Sequence, residues 1–324
     1  MSSGDGSQGS PNGADGRVLP SVSVIIPLYN GRVWLERAIA SAQAQLYPPA
    51  LLQIVVVDDG SSDGSAELAD QLSLADPRIL VLRQANAGPA AARNTAIEAS
   101  NGELIAFLDC DDTWEPSKLA RQVQMLLADP KLGVIHCGTR FVDAAGQPVN
   151  DWVRRSRTEH GEVLLEYFCD FFLITSALLV PRRCLDAVGL FDPSLRIGED
   201  HELFLRLLNR YPLGCVDKQL LNRTIRPDSL SRQDFDLDAH NDLMIMDRFR
   251  WAEPDFAQAN RVRIANRYAD YLYNYGYDLL KHGQSERART TLLRSLGWRF
   301  SMRALRALVR SVLPAQAARN LRAA

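Results

Sequence analysis

Ile54-Val55-Val56-Val57-Asp58-Asp59-Gly60-Ser61-Ser62-Asp63 runs four β-branched residues straight into acids, glycine and serines. An apolar run without alternation marks a strand covered on both faces, and its abrupt polar end marks a turn. Ser65–Leu74 then has helical spacing. The same pattern recurs on either side. Val22–Pro27 is a second buried run, followed by Trp34, Leu35, Ala38, Ile39 and Ala42 at helical positions. Ile79–Leu82 reads as a strand, Pro89–Ala99 as a helix opened by proline, and Leu104–Leu108 as a fourth strand. Pro116 opens a helix carrying Leu119, Val123, Leu126 and Leu127. Buried strands alternating with helices predict an α/β fold with a mainly parallel sheet, whose ligands lie beyond the carboxyl ends of the strands. Three polar clusters fall at such ends: Tyr29-Asn30, Asp58–Ser61 and Asp109–Asp112.

The second half is more mixed. Val134–Cys137 and Ser176–Val180 read as strands, residues 144–147 as a turn and Glu199–Arg210 as a helix. Beyond Asp234 the pattern stays helical. This gives three segments: a leader over 1–19, an α/β domain over 20–234 and a helical extension over 235–324. There is no internal repeat and no GxGxxG fingerprint.

Composition narrows the function classes. The chain has 324 residues, 46% hydrophobic, with a formal net charge of −2, which argues against nucleic acid as partner. Residues 281–324 nevertheless carry ten Lys or Arg against the single acid Glu286. Five cysteines in no CxxC spacing suit a reducing compartment. Residues 1–17 lack the apolar stretch of a signal peptide, and the apolar run Phe171–Val180 is too short for a bilayer. A cytoplasmic location is expected.

Carboxylates at alternate positions past a strand, Asp109 and Asp111 with Asp112 beside them, suit Mg²⁺ or Mn²⁺, which accept one or two protein carboxylates and complete their shell with phosphate and water. A solvated acidic loop is the plain alternative. Asp59 suits the N–H of a nucleobase or ribose hydroxyls, and equally a tight turn. In Asn86–Asn94, NAGPAAARN, Arg93 suits a phosphate or base, or else pairing with an acid. In Gly198-Glu199-Asp200-His201, Asp200 is the chosen general base and Glu199 its rival; an acid at a helix start also serves as a cap. In Asn222–Ser231, Arg226, Ser229 and Ser231 suit a lid over a diphosphate, and Pro227-Asp228 an ordinary turn. Residues 287–310 interleave arginines with Leu292, Leu293, Leu296, Trp298, Phe300, Leu305, Leu308 and Val309. That pattern fits a helix lying on an anionic membrane, or one packed on the body of the protein.

The ordered blocks SVIIPLYN (23–30), VVVDDGSSDGS (55–65), the segment from Asn86 to Trp114 containing FLDCDD, VGLFDPSLRIGEDHELFLRL (188–207) and RPDSLS (226–231) resemble the family 2 nucleotide-sugar glycosyltransferases. The resemblance implies a GT-A fold and an inverting, metal-dependent transfer of sugar from a UDP-, dTDP- or GDP-sugar. By the same resemblance Pro27, Tyr29 and Asp59 line the nucleotide pocket with Asn30 beside them. Asp109 and Asp111 form the DxD pair for ribose and metal, and Asp200 is the base. No QxxRW follows the ED pair, which argues against a processive synthase and for single additions to lipopolysaccharide, capsule or another glycan, with a glycan or lipid-linked acceptor. Two other readings are a sugar-nucleotide nucleotidyltransferase, whose Gly-rich basic loop is missing from PLYNGRVWLE, and a non-catalytic nucleotide-binding relative.

Overall fold

The computed structural model describes residues 18–149, 159–226 and 234–312. Strand β1 (Val22–Leu28) runs parallel to β2 (Leu52–Asp58), Val22 opposite Leu52 and Leu28 opposite Asp58. β3 (Ile79–Arg83) pairs parallel on the outer side of β2, and β4 (Leu104–Phe107) pairs parallel with β1. Helices α1 (Arg32–Gln43), α2 (Ser65–Ala75) and α3 (Pro89–Ala99) make the crossovers. Val24, Ile25, Ile26, Ile54, Val55 and Val56 are all fully buried, so both faces are covered, as their unbroken apolar runs require.

The full sheet has the order β3-β2-β1-β4-β7-β6-β8-β5. β7 (Leu179–Pro181) runs antiparallel between β4 and β6 (Val134–Val142), and β8 (Leu213–Thr224) runs parallel to β6. The short β5 (Thr113–Trp114) closes the edge antiparallel to β8. The parallel half is thus joined to a mixed half. Helix α4 (Lys118–Ala128) begins two residues after Pro116. It is followed by α5 (Leu164–Cys169), α6 (Arg182–Val188) and α7 (Glu199–Leu208).

One expectation changes here. The strand read at Ser176–Val180 begins later, at Leu179, because Thr175–Ala177 form a 3-10 turn. β8 had no clean alternation because its pairing with β6 slips: Cys137 faces Val216, but Gly138 faces Gln219, leaving Asp217 and Lys218 bulged out of the ladder.

The chain divides into two compact units. One holds residues 1–167 and 171–241, and the other residues 168–170 and 242–324. Helix Phe235–Ala252 contains the boundary. In the second unit, helix Arg261–Lys281 packs on helix Ser285–Trp298, followed by Met302–Val312. Gly276 permits that approach; a β-carbon there would lie 2.8 Å from Leu292 Cγ. The Tyr268 hydroxyl donates to Asp247 at 2.8 Å, and Trp298 stacks on the Tyr268 ring with centroids 4.4 Å apart. Among the described residues no helix is long and apolar enough to cross a membrane.

Candidate active site

The loops after β1 and β2 are stitched together. Asn30, the non-glycine residue with left-handed backbone among the described residues (φ +48°), donates its N–H to Ser61 Oγ at 2.9 Å. Its side-chain oxygen accepts the Ser62 N–H at 2.9 Å. The Gly31 and Arg32 N–H groups go to Ser65 Oγ and Asp63 at 3.0 and 3.1 Å. Asn30, expected beside the nucleotide, therefore spends its amide oxygen inside the protein. Tyr29 stands exposed next to it, and Pro27 is half-buried at the end of β1.

Asp59 is buried and holds the loop before α3. One carboxylate oxygen accepts from Gln84 Nε2 (2.8 Å) and the Ala87 N–H (2.9 Å), the other from the Gly88 N–H (2.9 Å). A carboxylate has about four acceptor positions, so roughly one is left for a ligand.

Arg93, on α3, is the node of the site. Its side chain is 6% exposed, with Nη1 2.6 Å from Glu199 Oε1 and Nη2 2.8 Å from Asp109 Oδ1. It also lies 5.4 Å from the Phe191 ring centroid. Pairing with acids replaces the expected phosphate or base contact: both terminal nitrogens face carboxylates, and burial leaves no open face for an anion. Arg93 is a strut between the end of β4 and the start of α7.

The three aspartates after β4 differ. Asp109 is 35% exposed and Asp111 24% exposed, the latter 3.3 Å from Arg226 Nη1. Asp112 is buried and accepts the Thr224 N–H at 3.0 Å, so it joins this loop to β8. Burial, then the Asp109 charge, pushes the Asp111 carboxyl above the ordinary range against Arg226, and burial with the Asp111 and Asp109 charges pushes the Asp112 carboxyl well above it. Gly31 allows Cys110 to pack underneath; a β-carbon at Gly31 would lie 2.8 Å from the Cys110 sulfur. Arg226 pairs with Asp111 and lies 5.8 Å from the Trp34 ring centroid. The expected turn at Pro227-Asp228 and the hydroxyls of Ser229 and Ser231 lie outside the described residues.

Helix α7 starts at Gly198, whose φ of +82° suits glycine, and presents two consecutive acids in its first turn. Glu199, 8% exposed, is taken by Arg93; burial and the Asp200 charge push its carboxyl up to about 6 against the pull of Arg93. Asp200 is 25% exposed, accepts the Thr175 hydroxyl at 3.0 Å and the His201 N–H at 2.9 Å, and lies 4.0 Å from His201 Nε2. Burial pushes its carboxyl up, but His201, Arg93 and these hydrogen bonds bring it below the ordinary range. The His201 ring stacks on Phe171, centroids 4.4 Å apart.

Asp109, Glu199 and Asp200 thus gather around Arg93, with Asp111 paired to Arg226 and Asp59 at the neighbouring strand end. Thr175, Ser176 and Thr224 were not singled out beforehand; short hydroxyl side chains inside apolar runs carry no signal of their own. Among the described residues no group of three or more His, Cys, Asp or Glu is arranged to hold a metal. A pair of crowded, partly exposed carboxylates is nevertheless a donor set that a hard cation would relieve, provided phosphate and water complete its shell.

A model of the family described as glycosyl transferase family 2 matches residues 23–178. An uncharacterized glycosyltransferase of Rickettsia typhi is 33% identical over 58% of this chain and 59% of its own length, so the chain spans less than two thirds of that relative. Chondroitin synthase of Pasteurella multocida is 25% identical over 78% of this chain and 26% of its own length. The mannosyltransferase of Pyrobaculum calidifontis, solved with GDP-Man and Mn²⁺, aligns over 94% of this chain and 79% of its own with a TM-score of 0.55 and 19% identity, which speaks for a shared fold.

Proposed function

The chain belongs to glycosyl transferase family 2, and from that premise we propose that it moves a sugar from a nucleoside-diphosphate sugar to an acceptor hydroxyl with inversion, in the building of a cell-surface glycan. The observation that carries this is that one buried arginine, Arg93, pairs with Asp109 of the acidic loop and with Glu199, the chain neighbour of Asp200, while Asp111 lies two residues along that loop. Donor and acceptor chemistry then meet at one place.

Pro27, Tyr29 and Asp59 line the nucleotide side. Mg²⁺ or Mn²⁺ on Asp109 and Asp111 would neutralise the charge that builds on the leaving diphosphate. Asp200 takes the acceptor's proton as its oxygen attacks the anomeric carbon from the opposite face. It suits that task because it is partly exposed and stays ionised at neutral pH, while the Glu199 carboxylate is committed to Arg93. Release of a nucleoside diphosphate from UDP-, dTDP- or GDP-sugars with Mn²⁺ tests the reaction. A sugar nucleotidyltransferase would release no nucleoside diphosphate from these donors and would instead form pyrophosphate from a nucleoside triphosphate and a sugar 1-phosphate, and a non-catalytic relative would do neither. Asp200→Asn should abolish release and retain nucleotide binding; turnover equal to wild type removes Asp200 from the mechanism.

We also propose that the second unit touches an anionic membrane through residues 287–310, which would suit a cytoplasmic enzyme with a lipid-linked acceptor. The tail divides its apolar residues. Leu292 is buried and Trp298 stacks on Tyr268, while Leu293, Phe300, Met302 and Val309 are exposed in a segment rich in arginine. Arg299 and Arg303 are tied to Asp270. Exposed apolar residues beside arginines suit an anionic lipid surface.

A further inference from the structure

Thr175 and Ser176 form the 3-10 turn ahead of β7, and each is buried. Their hydroxyls serve opposite sides of the site. Thr175 Oγ1 donates to Asp200 Oδ2 at 3.0 Å. Ser176 Oγ accepts the Asp109 N–H at 3.0 Å. The main chain of the turn is pinned from below. Trp114 Nε1 donates to the Ser176 carbonyl at 2.8 Å, and Gln122 Nε2 donates to the Ala177 and Ile135 carbonyls at 2.8 and 2.9 Å. The Gln122 amide is oriented by fully buried Lys118, whose Nζ donates to Gln122 Oε1 at 2.9 Å and sits 4.0 Å from the Trp114 ring centroid. A buried ammonium serving one amide oxygen leaves that amide one orientation, with its NH₂ toward the two carbonyls.

We propose that Thr175 and Ser176 are positioning residues that set the distance between the donor aspartates and the base: Thr175 acts through Asp200 on acceptor deprotonation, and Ser176 acts through Asp109 on donor binding. This rests on the glycosyl-transfer reading. Because the turn is held by Trp114 and Gln122 from a different element, neither hydroxyl is needed to shape the backbone. Their loss should therefore register in kinetics more than in folding, and should register differently for two neighbours in the chain.

The test uses the full chain with Mn²⁺ and whichever UDP-, dTDP- or GDP-sugar wild type hydrolyses, water standing in for the acceptor. Thr175→Val should lower kcat about tenfold or more, the scale of a lost hydrogen bond to a charged group, with KM unchanged; Thr175→Ser should restore most of it. Ser176→Ala should raise KM by about tenfold with kcat near wild type. Should Thr175→Val not fold, Thr175→Ala carries the same expectation. Identical signatures for the two positions, or no effect at Thr175, overturn the division of labour. A wild type that releases nothing from any donor overturns the functional reading, and this role with it.

Discussion

Replacing Arg93 by methionine leaves two carboxylates without their cation, and the two are not equal. Asp109 is 35% exposed and can be rehydrated. Glu199 is 8% exposed and cannot, and its pairing with Arg93 Nη1 is short, at 2.6 Å. Breaking a buried pair from one side costs about 3–5 kcal/mol, because the remaining charge is left in a poor solvent. For a domain of this size that corresponds to a melting temperature lower by roughly 10 °C. The cost must also depend on pH. Burial and Asp200 already raise the Glu199 carboxyl from 4.5 to about 6, and loss of Arg93 removes the main opposing pull. A raised carboxyl means that the folded state binds its proton more tightly than the unfolded state, so stability falls as pH rises through the window between 4.5 and the folded value. Arg93→Met should therefore be only mildly destabilised at pH 5, where Glu199 is protonated, and show its full deficit at pH 8. The double variant Arg93→Met with Glu199→Gln carries no orphan charge and should recover most of the loss at pH 8. Thermal melts of wild type, single and double variants at both pH values decide the matter. Equal deficits at the two pH values, with no rescue by Glu199→Gln, would refute the reasoning.

Asp111→Ala should abolish Mn²⁺-dependent binding of nucleoside diphosphate while leaving the melting temperature close to wild type, since its carboxylate is partly exposed and its arginine partner lies at the rim; calorimetric titration with UDP and with GDP checks this, and unchanged binding counts against the metal site. Full-length protein should float with phosphatidylglycerol vesicles and remain behind with phosphatidylcholine alone. Val309→Glu, placed on an exposed apolar position of the last described helix, should abolish flotation without lowering the melting temperature; flotation equal to wild type removes that surface from membrane contact.

The parallel half was readable because β1, β2 and β4 are buried on both faces and therefore continuously apolar, and because each ends in polar or acidic residues. That pattern identifies Asp59, Asp109 and Asp111 without any partner being known. The mixed half was harder for two physical reasons. β8 pairs through a slip that pushes Asp217 and Lys218 out of the ladder, so the alternation that announces a half-buried strand is interrupted where it would be counted. Thr175 and Ser176 sit in an apolar run, Ser176 as the first residue of the expected strand, yet both lie in a 3-10 turn and spend their hydroxyls on Asp200 and Asp109. Nothing within a few residues of either carries that information.

Arg93 and Glu199 sharpen the point, being 106 residues apart in the chain and 2.6 Å apart in space. Sequence identifies a charged group at a strand end or a helix start, and chemistry says which ligands that group suits. Burial decides whether it meets a ligand at all. Arg93, Glu199 and Asp112 are buried and are consumed by one another or by backbone N–H groups. Asp111 and Asp200 are each about a quarter exposed. The buried set fixes where the exposed set stands, because Arg93 ties the Asp109 loop to α7 and Ser176 ties Asp109 to the turn that also holds Asp200. In the reaction proposed here two carboxylates act on opposite sides of one anomeric carbon and need such a frame, since a displacement of about 1 Å in either would cost a large part of the rate.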